Sequence, residues 1–376
     1  MALEVPTGPL GLTPAWLTAA LREAGVLGPG AAVREARVEV IGADRGIGGL
    51  VARVTPTYEG ASMAGVPPPA TFIAKLPSPL EVTRRGGNFL RLPEREVRLY
   101  LELAPALPIR SPHAYYAAVA ADGTDFVILM EDLASATPGD DLDGTTDERL
   151  FEAARALARL HAAWWESPAL AVIEWLPPID ARAATWQRLF TLAWRELRDS
   201  TSSGGLPDLD GVIPLEIQPV ADLLLRRGAE VYTRLARWPA TLLHGDFRLD
   251  NLFFGLPDGS PLAAIDWSNA TSGPGPYDLA YLLAVGVPPE RRRAIEEPLL
   301  AAYIKGLRAG GVTGDLDWCR DAYRLSYLEP FMRMLFLLVR GHADGGGGRP
   351  YRVLSQLVHR AAVAALDLDS ASLLEG

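Results

Sequence analysis

Cysteine is almost missing from this chain. Cys319 stands alone among 376 residues, which excludes an internal disulfide and any metal site built from several thiolates. A basic surplus is missing too: the formal net charge is −10, so the positive footprint of a nucleic-acid-binding protein is absent. No apolar run approaches membrane-spanning length without charges, and the first residues lack the basic-then-apolar order of a secretory signal. Histidine is scarce, and no His/Cys grouping has zinc-site spacing. These deficits predict a reduced, cytoplasmic setting with neither nucleic acid nor membrane as partner. What remains, 49% apolar and 22% charged, is the profile of a folded chain long enough for two domains. The choice between monomer and homodimer stays open.

Two textures divide the chain. Thr13-Pro14 opens a helix over 14–24, with Thr13 as cap, Pro14 at the first turn and Gly25 as the stop. From about residue 33 to 133 the pattern is strand-like: Val38 and Val40 alternate with charges, 50–58 forms a second strand, and Thr71-Phe72-Ile73-Ala74-Lys75-Leu76 a third. Residues 93–103 read as a helix and 126–130 as a buried strand. Beyond a polar connection at 130–145, Thr145 and Glu148 form a capping-box pattern before a long amphipathic helix, and helices dominate thereafter. The prediction is an α+β chain. Residues 1–134 form a small β-rich, nucleotide-binding lobe, and 135–376 a larger, mainly helical lobe that holds 244–251 and Asp266.

The densest chemistry lies in Leu243-His244-Gly245-Asp246-Phe247-Arg248-Leu249-Asp250-Asn251, followed by Ile265-Asp266-Trp267. Phosphoryl transfer needs a carboxylate to orient or deprotonate a hydroxyl, plus an Asn and a carboxylate to hold magnesium against the triphosphate. The kinase catalytic loop sets its Asp and Asn five positions apart, as Asp246 and Asn251 are here. Asp246 is therefore the expected base, with Asn251 and Asp266 as metal ligands; singly, each would be an ordinary loop residue. Arg248 either steadies the transferring phosphate or forms a salt bridge. His161 and His244 read as hydrogen-bonded structural histidines.

Lys75 in its strand can reach the α- and β-phosphates, held by Glu96 on the following helix, with Glu94 as competing partner. The glycine-rich stretch 42–49, with Gly46 and Gly48, could bring backbone amides to phosphate oxygens, although Asp44 there is unfavourable. It spells neither the protein-kinase glycine motif nor a Walker loop. Glu131 and Leu133, at the end of the buried strand, offer backbone groups to an adenine edge.

His-Gly-Asp-Phe-Arg-Leu-Asp-Asn (244–251), Ile-Asp-Trp (265–267), Pro-Tyr-Asp-Leu-Ala (276–280), Leu-Ala-Arg-Leu-His-Ala (157–162) and the run from Glu96 to Tyr100 resemble the aminoglycoside phosphotransferase and choline-kinase-like group. Within it they look closest to the ecdysteroid-kinase-like branch. The resemblance spans about residues 35–340. It implies a bilobal protein-kinase-like fold with an antiparallel β-rich lobe, and ATP- or GTP-dependent, Mg2+-assisted phosphorylation of a small-molecule alcohol. It also implies that Asp278 braces the catalytic loop. Only eleven residues separate Asp266 from Asp278, too few for the segment with which a protein kinase presents a peptide.

The acceptor is the open term. The acidic stretch with Asp140, Asp141 and Asp143 could attract a cationic aminoglycoside, though it reads more simply as a solvated connection. The aromatic-rich helices, with Trp175, Trp186, Trp194, Phe331 and Phe336, suit a macrolide, steroid or other apolar alcohol, or simply form a core. The rival readings are a nucleotide-binding pseudokinase or scaffold, and a metal-dependent hydrolase with water as acceptor.

Overall fold

Phe72, Ala74 and Leu76 alternate with Ile73 and Lys75, the period of a strand with two unlike faces. A computed structural model describes residues 3–42, 49–60, 67–203, 212–343 and 348–375. In it that segment is the central strand of a five-stranded antiparallel sheet. The strands are β1 (Ala32–Ile41), β2 (Gly49–Glu59), β3 (Phe72–Pro77), β4 (Ala114–Val119) and β5 (Phe126–Glu131), in the spatial order β1-β2-β3-β5-β4. The register sets Lys75 between Val51 and Ile128. Phe72, Ala74 and Leu76 point the other way, into a core shared with Val54, Val127 and Leu129 and with α1 (Pro14–Glu23). Thr13 caps α1 as expected, its Oγ1 accepting from Trp16 N–H at 3.2 Å. Leu17 and Leu21 are fully buried, a stabilisation of roughly 1.5–3 kcal/mol each.

Two compact units result. The first comprises Met1–Thr137 together with Leu256–Asn269. The sequence reading had kept that second segment with the helical lobe. Its place is explained by bonds within the unit: Ala264 N–H donates to Arg110 O at 2.8 Å, Trp267 Nε1 to Ser111 Oγ at 3.1 Å and Arg95 to Ser268 O at 2.9 Å. Trp267 is completely buried there. The helix after β3 is α3 (Leu92–Glu102), preceded by α2 (Glu81–Phe89). Neither α2 nor β4 was picked out individually from the sequence.

The second unit, Pro138–Gly255 with Ala270–Gly376, is mainly helical. Its helices are α4 (Asp147–Ala163), α5 (Ala169–Val172), α6 (Ala183–Ser203), α7 (Gln218–Leu235), α8 (Pro276–Gly286), α9 (Pro289–Ala309), α10 (Trp318–Ser326), α11 (Leu328–Ala343), α12 (Gly348–Asp367) and α13 (Ser372–Glu375). The cap of α4 is Thr146 rather than Thr145: its Oγ1 accepts from Arg149 N–H at 3.3 Å. Every residue of α8 is buried, as its all-round apolar sequence requires. α9 approaches α4 so closely that a Cβ at Gly306 would stand 2.6 Å from that of Ala158. The aromatic residues of α6, α10 and α11 are largely core, with Trp186, Trp194, Tyr323 and Phe331 buried, as is Tyr327 between α10 and α11. No helix among the described residues is long and apolar enough to cross a membrane.

Candidate active site

Each unit carries its own cluster of the residues singled out by sequence. In the first, Lys75 Nζ lies 2.7 Å from both carboxylate oxygens of Glu96 and 3.1 Å from Asp266 Oδ1. Strand parity turns Lys75 off the core face, and Glu96 comes from the buried side of α3. Glu94 is occupied elsewhere, paired with Arg91 at 2.7 Å. One ammonium here faces two carboxylates. Burial, with Asp266 adding to it, pushes the Glu96 carboxyl up to about 7 against the opposing pull of Lys75. For Lys75, burial works against the charge, but Asp266 and Glu96 outweigh it and hold the ammonium above its ordinary pKa.

Asp266 is the accessible member, with its side chain 33% exposed against 2% for Glu96. It takes a left-handed backbone, φ 60°, rare for a residue with a side chain, and Ser268 Oγ donates to its Oδ1 at 2.7 Å. At the end of β5, Glu131 pairs with Arg110 at 2.6 Å, while the Leu133 carbonyl accepts from Ala136 N–H at 2.9 Å. Gly46 and Gly48 lie outside the described residues.

In the second unit the strand Thr241–Leu243 pairs with Thr271–Gly273 and delivers the chain into the loop that carries Asp246. Asp278, fully buried at the start of α8, accepts His244 N–H at 2.7 Å on one oxygen and Gly245 N–H at 2.9 Å on the other. His161 sits between that carboxylate, 3.2 Å from Nε2, and the Tyr303 hydroxyl, 2.8 Å from Nδ1. Gly245 has φ 77°, so a side chain there would be strained. The loop is closed on itself by Asn251, whose amide nitrogen donates to Asp246 O at 2.9 Å and to Asp246 Oδ2 at 3.3 Å. Those bonds leave Asn251 Oδ1 without a hydrogen-bond partner among the described residues.

Arg248 is held in a salt-bridge network. It binds Asp141 and Asp250, the latter at 3.2 Å, with Asp246 at 3.7 Å. Asp141 corrects the expectation of a solvated acidic connection: it is fully buried and also accepts Leu249 N–H at 3.0 Å. Burial, with Asp250 and Asp246 beside it, pushes its carboxyl up to about 6 although Arg248 opposes. Sequence reasoning also missed Arg333, which donates to Gly245 O at 2.9 Å, to Tyr277 Oη at 2.9 Å and to Glu329 at 2.8 Å. The available signal was a Glu and an Arg one helical turn apart inside the apolar run of α11.

Each unit offers one oxygen donor chemically suited to a magnesium ion. Asp266 in the first carries a partly exposed carboxylate, and Asn251 in the second keeps an amide oxygen unspent. Both are hard oxygen donors of the kind magnesium takes alongside phosphate oxygens and water. Among the described residues no group of three His, Cys, Asp or Glu side chains forms a metal site by itself.

Residues 66–317 match the model of the phosphotransferase enzyme family. No curated protein sequence matches the chain. Among solved structures it is similar to choline kinase from Cryptosporidium parvum Iowa II, with 11% identity, 90% of this chain and 91% of that chain covered, and a TM-score of 0.54. A candidate aminoglycoside phosphotransferase from Ralstonia eutropha JMP134 shares 14% identity over 95% of this chain and 97% of its own, with a TM-score of 0.53. The GDP and kanamycin complex of APH(2")-IIIa shares 16% over 89% and 94%, with a TM-score of 0.51. At such identities the likeness speaks for the fold, which is the expected bilobal, protein-kinase-like one. The match reaches the family as a whole and does not single out the ecdysteroid-kinase-like branch.

Proposed function

Because the chain belongs to the phosphotransferase enzyme family, we propose that it moves the γ-phosphoryl group of ATP, or GTP, onto a hydroxyl of a small organic molecule. The acceptor oxygen forms the new P–O bond, the bond from the γ-phosphorus to the β,γ-bridging oxygen breaks, and the nucleoside diphosphate leaves. Asp246 accepts the hydroxyl proton. Asn251 fixes that carboxylate, and Asp278 and Arg333 hold the backbone on which it is mounted. Lys75, locked by Glu96, binds the α- and β-phosphates, and the backbone at Glu131 and Leu133 borders the base. Arg248 acts here as a positioning residue, since its guanidinium is already engaged by Asp141 and Asp250. Asn251 Oδ1 and Asp266 would hold magnesium, which when bound neutralises charge on the phosphates.

The observation that carries this reading is the bond pair from Asn251 to Asp246. One amide both orients the proposed base and keeps an oxygen for a metal. The test is a hydroxylated-metabolite and antibiotic panel scored for phosphate gain by mass spectrometry, run with the wild type and with Asp246→Ala. Replacing the base lowers kcat by about 10²–10⁴-fold. Turnover near the wild-type rate in Asp246→Ala would overturn the assignment.

A further inference from the structure

Ser355, Gln356, His359 and Arg360 stand at successive turns of α12, a spacing that puts them on one side of the helix. With Val212, and with Pro289 at the start of α9, they line a cavity of about 360 Å³, a size suited to a small molecule. None of these lining residues is acidic. Arg360 is only 6% exposed. Its Nη1 donates to Asp141 O at 2.5 Å and to Val285 O at 2.8 Å, and its Nη2 to Gln356 Oε1 at 2.9 Å. All three acceptors are neutral, and among the described residues no carboxylate forms an ion pair with it. Carbonyl oxygens satisfy donors without neutralising the charge, and a buried charge lacking a counter-ion is costly. Burial accordingly presses the pKa of Arg360 below the ordinary arginine value, with Asp141 opposing.

The rest of the lining keeps hydrogen-bonding capacity in reserve. Ser355 Oγ is buried with no hydrogen-bond partner among the described residues. Gln356 accepts through Oε1, which leaves its amide N–H groups for another acceptor. His359 Nδ1 donates to Val212 O at 3.0 Å, so Nε2 remains for a ligand. The first turn of α9 has no side-chain cap, and such a helix end favours negative charge. The acid of that turn, Glu290, has its side chain 83% exposed and pairs with Arg293 at 3.9 Å. Arg360 also ties the cavity to the loop that carries Asp246. Asp141, whose carbonyl it holds, accepts Leu249 N–H at 3.0 Å and binds Arg248. Val285 lies near the end of α8, the helix whose first turn bears Asp278.

We propose that this cavity is an effector site, in which Arg360, Ser355, Gln356 and His359 bind the oxyanion, carboxylate or phosphate, of a small metabolite. Arginine's planar fork of donors matches the oxygens of either group. The bound anion neutralises Arg360 and so stabilises the arrangement in which Asp141 holds Leu249 and Arg248. Local opening that releases Asp141 also releases the ligand, so binding suppresses that opening. The inference goes beyond the phosphotransferase reading and does not require it.

The test titrates the full chain calorimetrically with inorganic phosphate and with malonate, against chloride at equal ionic strength. A non-hydrolysable triphosphate analogue is present throughout to occupy any nucleotide site. At least one of the two anions binds saturably, and the one that binds identifies the oxyanion as phosphate or carboxylate. Arg360→Gln weakens that binding by about 10- to 100-fold, and Ser355→Ala and His359→Leu each by a few-fold to about 10-fold. If Arg360→Gln does not fold, the other two variants decide. Hydrogen exchange of the Leu249 amide, read by mass spectrometry, slows about 10-fold when the anion stands at about ten times its dissociation constant. No saturable binding of either anion, or an affinity unchanged in every folded variant, overturns the proposal. Binding that leaves Leu249 exchange unaltered overturns the effector role. Neither readout uses phosphate transfer, so a failure here and a failure of the phosphotransferase reading are told apart.

Discussion

The two clusters of charge in this protein are built on opposite principles. Around Lys75, two carboxylates face one ammonium, and Asp266 is the most exposed of the three groups. Around Asp246, nearly every charge is spent on holding backbone: Asp278 on two amides, Asp141 on Leu249 N–H and Arg248, and Arg333 on a carbonyl. The difference teaches where a ligand's free energy enters. A cluster with an accessible carboxylate can take a ligand there, whereas a saturated one fixes geometry before any ligand arrives.

The sharpest break of this contrast is Asp278→Ala. It strips two buried N–H groups and His161 of their acceptor, so the expected loss of stability is about 3 kcal/mol or more, read from the denaturant midpoint. A loss below about 1 kcal/mol would mean that the saturated cluster is not a framework. Asp278→Asn, which keeps one acceptor, falls between.

The pH dependence of the Lys75 cluster is the next in size. Glu96 has its pKa raised from 4.5 to about 7, so the folded chain keeps a proton that the unfolded chain releases first. That contribution to stability is fully present below about pH 4.5 and is lost as pH rises through about 7. Glu96→Gln, permanently neutral, should therefore gain on the wild type between about pH 5 and pH 8, by on the order of 2 kcal/mol in unfolding free energy for the nucleotide-free chain. A difference that stays flat with pH would show that Lys75 compensates Glu96 completely.

The smallest effect is a control. Glu94 pairs with a largely exposed Arg91, so Glu94→Gln should change stability by no more than about 0.5 kcal/mol and leave the pH profile alone. A loss matching that of Glu96→Gln would erase the distinction between the two neighbouring glutamates.

Lys75 and Glu96 were readable in advance because parity and helical spacing are local rules: a strand alternates faces, and a helix sets its buried side. The same holds for Thr13 as cap and for the Asp246–Asn251 spacing. Asp141 was misjudged because three neighbouring acidic residues look like a solvated loop, and only a distant Arg248 reveals that one of them is buried. The ties of the segment holding Asp266 to the first unit were hidden for a similar reason: its bonds to Arg110, Ser111 and Arg95 span more than 150 positions of chain.

The sequence by itself determined the elements and the reactive groups, since strand period, capping residues and the loop motif depend on neighbours a few positions away. The tertiary structure alone decided which charges are compensated. Whether Arg248 is bridged or Arg333 anchored depends on chain segments that meet only after folding, where burial multiplies the consequence of each pairing.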